Sequence, residues 1–326
     1  MDVFVTGGSG FVGGALIRAL VAHGDRVRAL ARSDTALRAV VAAGAEAVPG
    51  DLLDAEALLR GIEGCETVFH SAALLSFWDR EAEQRLTNVM GTRCVLEAAR
   101  AAGARCVVYV GAAAAVSDGG PIREPTESAA RPERAFGPYA RTKAEAEALV
   151  LAASDARLRT VALRPPAIWG PGDPSFLPTL VRAARRRQLV WIGGGEFPWS
   201  TCHVANVVEG ALAAEARGAG GAVYALTDGP PWTFRRFVTA LLATQGVAAS
   251  GRSLPRPAAR MAARGLELAY AALRRRDAPP LHRSLLALVG EPVELSDARA
   301  RAELGYRAAM DRETGLAELE VRGAAS

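Results

Sequence analysis

Cysteine and histidine are scarce in this chain of 326 residues, at four of each. Cys65, Cys94, Cys106 and Cys202 show no CxxC or other metal-ligand spacing, and no second ligand stands near His203, so no metal site is expected. Two of the cysteines lie in apolar helix or strand contexts, which suits reduced, packed thiols in a cytoplasmic protein. No apolar run reaches the roughly 18 residues of a membrane span. The N-terminus shows neither part of a signal peptide and opens directly on a strand. Charge of one sign is lacking too, with a net of only +4. The basic runs Arg185 to Arg187 and Arg274 to Arg276 read as solvated helix faces, so nucleic acid is not an expected partner. What remains is 50% hydrophobic and 23% charged, an ordinary globular balance for one large domain or a domain with a smaller appendage.

The strongest local pattern is DVFVTGGSGFVGG, Asp2 to Gly14. Val3 to Val5 read as a buried strand, and Gly7, Gly10 and Gly13 precede an apolar-periodic helix through about His23. These are the parts of a pyrophosphate site. Gly7 permits a tight turn, Gly10 lets phosphate approach the main chain and Gly13 lets the helix pack on the strand, while the helix N-terminus offers free N–H groups and positive dipole. Ser9, Phe11 and Val12 complete the loop.

A second strand, Val27 to Leu30, ends in Ala31, Arg32 and Ser33. A carboxylate would hold ribose hydroxyls there; a guanidinium and a hydroxyl suit a 2′-phosphate, favouring NADP(H) over NAD(H). Asp51, after a third strand at 45–48, reads equally as an adenine contact or a helix cap. The fourth strand, 67–70, runs into Ser71, Ala72 and Ala73, small residues that leave room for a cofactor. Leu74, Leu75, Phe77 and Trp78 follow as an apolar loop placed for a substrate or for the core. A long helix spans about 80–102, the fifth strand 106–110, and 117–137 is a loop.

Tyr139 and Lys143 stand four residues apart at the start of a helix to about Ala153, one turn apart on one face. An ammonium near the phenol would lower a pKa that starts near 10 and make Tyr139 a proton donor and acceptor near neutrality.

With these pieces in order, the chain resembles the extended short-chain dehydrogenase/reductase family of the NAD-dependent epimerase/dehydratase superfamily. The matching segments are TGGSGFVG, GDL at Gly50, HSAA at His70, NVMGT at Asn88, YARTK at Tyr139, LRPPAIWGPGD at Leu163 and STCHVANV at Ser200. The C-terminal half is most similar to the 3β-hydroxysteroid dehydrogenase-like branch. The resemblance implies Tyr139 as acid/base, Lys143 on the nicotinamide ribose, Asn88 as support, Asp51 and Leu52 at the adenine, Pro165 at the nicotinamide, and a dimer through the long helices. One position departs. Laying Ala114 to Val116 on the family pattern puts Ala113 where a serine normally bonds the substrate oxygen, and losing such a donor costs about 2.7 to 4 kcal/mol.

Further on, 161–163 reads as a sixth strand and 175–187 as a helix. Phe176, Trp191, Phe197 and Trp199 concentrate aromatic surface that points to an apolar substrate, while His203 reads as a structural contact. Tyr224 to Thr227 reads as a returning strand. The segment 255–276 is a basic amphipathic helix, read first as packing over the cleft, with an interfacial membrane contact as the alternative. The expected fold is α/β, a Rossmann doubly wound parallel sheet over 1–174 with returning segments near 201–229. A smaller, mostly helical substrate region takes 175–200 and 230–326. The expected activity is hydride transfer between NAD(P) and a carbonyl or secondary alcohol of a hydrophobic small molecule. A nucleotide-sugar epimerase or dehydratase, with Arg182 and Arg185 to Arg187 on the diphosphate, and a non-catalytic cofactor-binding scaffold stand as alternatives.

Overall fold

The computed structural model describes residues 1–78, 80–123, 133–249, 251–275 and 277–324. Parts of the expected 117–137 loop, and the last residue of the 274–276 run, lie outside them.

Seven strands form one parallel sheet: β1 (Asp2–Thr6), β2 (Arg26–Ala31), β3 (Glu46–Pro49), β4 (Thr67–His70), β5 (Cys106–Val110), β6 (Arg159–Arg164) and β7 (Ala222–Ala225). Their spatial order is β3-β2-β1-β4-β5-β6-β7. Every residue of β4 and β5 is buried, as strands covered on both faces must be. The chain goes outward from β1 to β3, then crosses back to β4. A crevice therefore opens at the carboxyl ends of β1 and β4, where helices diverge to opposite faces.

Helix α1 (Phe11–His23) places Leu16, Ile17 and Leu20 against one face of the sheet, beside Val207 and Ala211 of helix Val204–Arg217. Gly24, at φ 93°, ends it by donating to Leu20 O and Val21 O. On the other face, helices Ala55–Ile62, Gly91–Ala101 and Pro138–Ala152 supply Leu58, Val95 and Val150. A third core, built on Trp169, Trp191, Trp199, Phe234 and Phe237, holds the C-terminal elements.

Two elements differ from the sequence reading. The returning strand is Ala222–Ala225, two residues early, because Thr227 and Asp228 leave the ladder to bond side chains: Thr227 donates to Asp297, and Asp228 accepts from Trp169, Thr201 and Asn206. The long helix after β4 is interrupted. Glu81–Gln84 widens into a π-turn, Arg85–Met90, before resuming as Gly91–Ala101. Such turns recur at functional sites because the extra residue re-aims a side chain. Here that side chain is Asn88, 1% exposed.

Candidate active site

The glycine loop is built for close approach. Gly7 has φ +73°, and a Cβ there would lie 2.7 Å from Ala72 N; a Cβ on Gly13 would lie 2.1 Å from Gly7 O. Gly10 begins α1 with no capping side chain, so the first N–H groups of the helix are left for an anion. From this loop a cavity of about 1430 Å³ extends over the sheet. Ser9, Phe11, Val12, Arg32, Ser33, Asp51, Leu52, Ser71, Ala72, Ala73, Pro165 and Tyr139 border it with the glycines. A dinucleotide fits this cradle: Ser9 and Gly10 are exposed at the helix start where a phosphate would lie, and Gly7 and Gly13 let the loop pack on Ala72 and the helix on the loop.

At the far edge of the loop, Arg32 and Asp51 are exposed with guanidinium and carboxylate 3.8 Å apart. Asp54, not Asp51, caps helix Ala55–Ile62 by accepting from Ala57 N, which leaves Asp51 on the cavity wall. Ser33 does cap a helix, Asp34–Ala42, by accepting from Ala36 N at 3.3 Å.

Tyr139 and Lys143 share helix Pro138–Ala152 but face different surroundings. The Tyr139 ring meets the edge of Phe77 at 5.5 Å and borders the cavity. Burial pushes its phenol up to about 12, opposite in sign to the lowering expected from the lysine. Lys143 is 2% exposed and lies behind the wall. Its Nζ donates to Val110 O at 3.0 Å and sits 4.4 Å from the centre of the Tyr109 ring. Burial brings the ammonium down to about 7, partly countered by Glu147. Glu147 and Arg164, both fully buried, form a two-point ion pair with an Nε to Oε2 contact of 2.7 Å.

Behind the wall runs a polar chain. Thr92 Oγ1 donates to Asn88 O at 2.6 Å, so it accepts from His70 Nε2 at 2.8 Å. His70 then carries its proton on Nε2 and accepts from Thr6 Oγ1 at 2.6 Å. Full burial lowers the imidazole to about 3 and keeps it neutral. The Asn88 side chain accepts from Leu74 N at 2.7 Å and donates to Leu74 O and Thr142 Oγ1. Asn88 therefore does not border the cavity; it ties the loop after β4 to the helix of Tyr139. Thr6, Thr92 and Thr142 were missed by the sequence reading, although they lie within the segments TGGSGFVG, NVMGT and YARTK.

The wall after β5 carries no hydroxyl from Gly111 to Ala114. Ala113 opens a 3-10 turn, Ala113–Val116, and donates its N–H to Pro165 O at 2.9 Å. Ser117, 6% exposed, borders the same cavity.

A sequence model of the 3-beta hydroxysteroid dehydrogenase/isomerase family matches residues 4–256. The chain belongs to that family. A 4-hydroxy-2-methyl-3-oxo-4-farnesyl-3,4-dihydroquinoline-1-oxide ketoreductase of Stigmatella aurantiaca is 46% identical over 325 residues, 100% of this chain and 97% of the relative. A 2-alkyl-3-oxoalkanoate reductase of Stenotrophomonas maltophilia strain K279a is 36% identical over 335 residues, 100% of both chains. A dTDP-glucose 4,6-dehydratase of Streptomyces venezuelae, solved with NAD bound, superposes with a TM-score of 0.74 at 26% identity, covering 100% of this chain and 97% of that one. This member of the 3-beta hydroxysteroid dehydrogenase/isomerase family is thus an extended short-chain oxidoreductase that uses a nicotinamide dinucleotide and a small-molecule substrate, and the scaffold alternative is dropped.

Beyond Tyr139 the walls of this family member's cavity are mostly apolar, with Arg80, Glu83, Asp173, Thr179, Gln188 and Ser284 set among them. Leu74, Leu75, Phe77, Phe176 and Trp199 border it, whereas Trp78 turns away to pack on His282 at 5.5 Å. Trp191 and Phe197 serve the core instead, because Phe234 stacks or meets edges with both. His203 caps helix Val204–Arg217 through Nδ1 and meets the Trp169 ring at 4.8 Å, a structural role. Among the described residues no group of side chains could hold a metal. None of Arg182, Arg185, Arg186 and Arg187 borders the cavity; Arg185 and Arg187 line a separate surface hollow with Arg252. Sequence reasoning also missed Leu281, Leu285 and Leu288, which close the apolar end from helix Arg283–Val289 and its approach. No helix in the described residues is long and apolar enough to cross a membrane.

Proposed function

We propose that this protein is an NADP(H)-dependent ketoreductase acting on a ketone carried by a hydrophobic ring or chain. The observation that supports it is one continuous cavity that joins the glycine cradle to mostly apolar walls, with Tyr139 between them and, among the described residues, no arginine cluster at the far end. A nucleotide sugar would bring a diphosphate to that end, and burying it against leucines would cost far more than hydrogen bonds there could return. The ketoreductase and oxoalkanoate reductase names of two relatives agree with this substrate class.

In this reading Gly7 to Gly13 hold the pyrophosphate, Arg32 and Ser33 the 2′-phosphate, Asp51 and Leu52 the adenine, and Pro165 bounds the nicotinamide. The bound nucleotide supplies the hydride. Tyr139, protonated at neutral pH by virtue of its desolvated phenol, gives its proton to the carbonyl oxygen. Lys143 exchanges Val110 O for the ribose. Ser117 takes the place of the absent serine: its Oγ accepts from Gly119 N at 3.3 Å, which leaves its hydrogen free for the substrate oxygen. The turn before it packs on the helix of Tyr139 through Ala115, Ala140 and Ala144. The test is Tyr139→Phe assayed with NADPH and a panel of hydrophobic ketones. Loss of turnover with NADPH binding intact is expected; unchanged turnover overturns the assignment.

A further inference from the structure

Lys143 is the only lysine in the chain; every other basic side chain is an arginine or a histidine. A guanidinium stays charged at every working pH, whereas an amine taken out of water can lose its proton near neutrality, so the surroundings of Lys143 decide its charge.

Those surroundings offer little to an ammonium. Among the described residues Nζ has one hydrogen bond, to Val110 O, and burial brings the amine down to about 7. Glu147 stands one turn further along the helix, but its carboxylate is matched at two points by Arg164 of β6, both side chains being fully buried. His70 of β4 is neutral, and Tyr139, one turn before the lysine, keeps its phenolic proton at neutral pH. With Tyr109 of β5, these are the titratable and charged groups around Lys143 among the described residues. Glu81, Arg85 and Arg100 meet the helix on its outer side, through Arg141, Glu145 and, just past its end, Asp155.

Tyr109 supplies what is missing. It is 1% exposed, and the centre of its ring lies 4.4 Å from Nζ, within the distance at which an aromatic face attracts a cation, an attraction that grows as water is removed. The hydroxyl does not explain the residue. Its oxygen is buried with no hydrogen-bond partner among the described residues, and burial, with Tyr139 and Glu147 nearby, pushes its pKa well above 10, so it adds no charge. An unpartnered buried hydroxyl costs stability, so what the site gains from Tyr109 is the ring.

We propose that Tyr109 is a positioning residue: the face of its ring holds Lys143 as a cation against Val110 O, at the point from which the amine turns to the cofactor. The platform stands on the contact itself; its use in turnover rests on the reading that Lys143 serves the ribose.

A single lysine makes the test direct, because the full chain labelled with carbon-13 at lysine Cε gives one titrating side-chain signal by NMR. The wild type should titrate near 7. Tyr109→Phe keeps the ring face and should stay within about 0.3 of that value. Tyr109→Leu should titrate about one pH unit lower. A trifluorinated phenylalanine at position 109 should do the same, since it keeps the shape of phenylalanine but draws electrons from the ring face, and it carries the test if the leucine variant does not fold. The kcat/KM for NADPH, which reports the free enzyme, should fall as the amine loses its proton, its limb following the midpoint of each variant. Wild-type titration in the fluorinated variant, or a shift in Tyr109→Phe as large as in Tyr109→Leu, would overturn the proposal, the second by assigning the effect to the hydroxyl. A limb that does not follow the titration would leave the platform standing and sink the ribose role of Lys143 instead.

Discussion

The side-chain amide of Asn88 donates to the hydroxyl of Thr142 across 3.1 Å, inside the protein. Thr142 in turn donates to the carbonyl of Tyr139, and the Asn88 carbonyl oxygen accepts from Leu74 N. One residue in a π-turn therefore sets both the helix that carries the phenol and the loop of Leu74, Leu75 and Phe77 that borders the cavity.

Removing that link should misplace chemistry rather than abolish binding. Asn88→Ala strands the Leu74 N–H and frees the helix start, and a displacement of about 1 Å at a reacting group costs up to about 100-fold. Steady-state kinetics should show kcat down roughly 10- to 100-fold with NADPH affinity near wild type. A loss confined to cofactor affinity would contradict the positioning role.

Ser117→Ala should lower kcat by about 10² to 10³, the loss seen when one oxyanion donor is removed. Ala113→Ser in that background should recover part of it, because Ala113 borders the same cavity. If Ser117→Ala turns over normally, the donor lies elsewhere.

Cofactor choice can be read at Arg32, whose guanidinium is exposed beside Asp51. Arg32→Ala should raise the Kd for NADPH about tenfold or more, the worth of a charge-assisted hydrogen bond, and leave NADH within about twofold. Equal losses for both nucleotides, measured by fluorescence titration, would place the 2′-phosphate away from Arg32.

Two pH effects follow from burial. With the phenol of Tyr139 raised to about 12, ketone reduction should be insensitive to its ionisation from pH 6 to 9, while alcohol oxidation, which needs phenolate, should rise toward alkaline pH. Lys143 is depressed to about 7 from 10.5, so between those values the unfolded chain binds a proton that the folded chain does not. Stability should therefore rise with pH across that window and be lowest below it, where the buried amine is charged in both states. Urea titrations at several pH values, with Lys143→Met flattening the trend, check the sign.

Much of the fold was legible because its signals are local. Strand, glycine turn and helix at Asp2 to His23 follow from spacing alone, and the small residues Ser71 to Ala73 mark a strand end that must leave room. The spacing of Tyr139 and Lys143 put both on one helix face. It could not tell that Lys143 turns to Val110 O, since that partner is 33 residues away. Aromatic residues were less readable, because Trp191 and Trp199 carry similar sequence contexts while only Trp199 borders the cavity.

The amino-acid sequence by itself determined the parallel α/β architecture, the glycine turn before the first helix and the place of Tyr139 and Lys143 on one helix, because backbone freedom and periodicity act over a few residues. Only the tertiary structure decided which amide holds the phenol in place, how the lysine and tyrosine are desolvated, and which leucines close the cavity. Those depend on side chains brought together from distant segments, where burial sets both charge and contact.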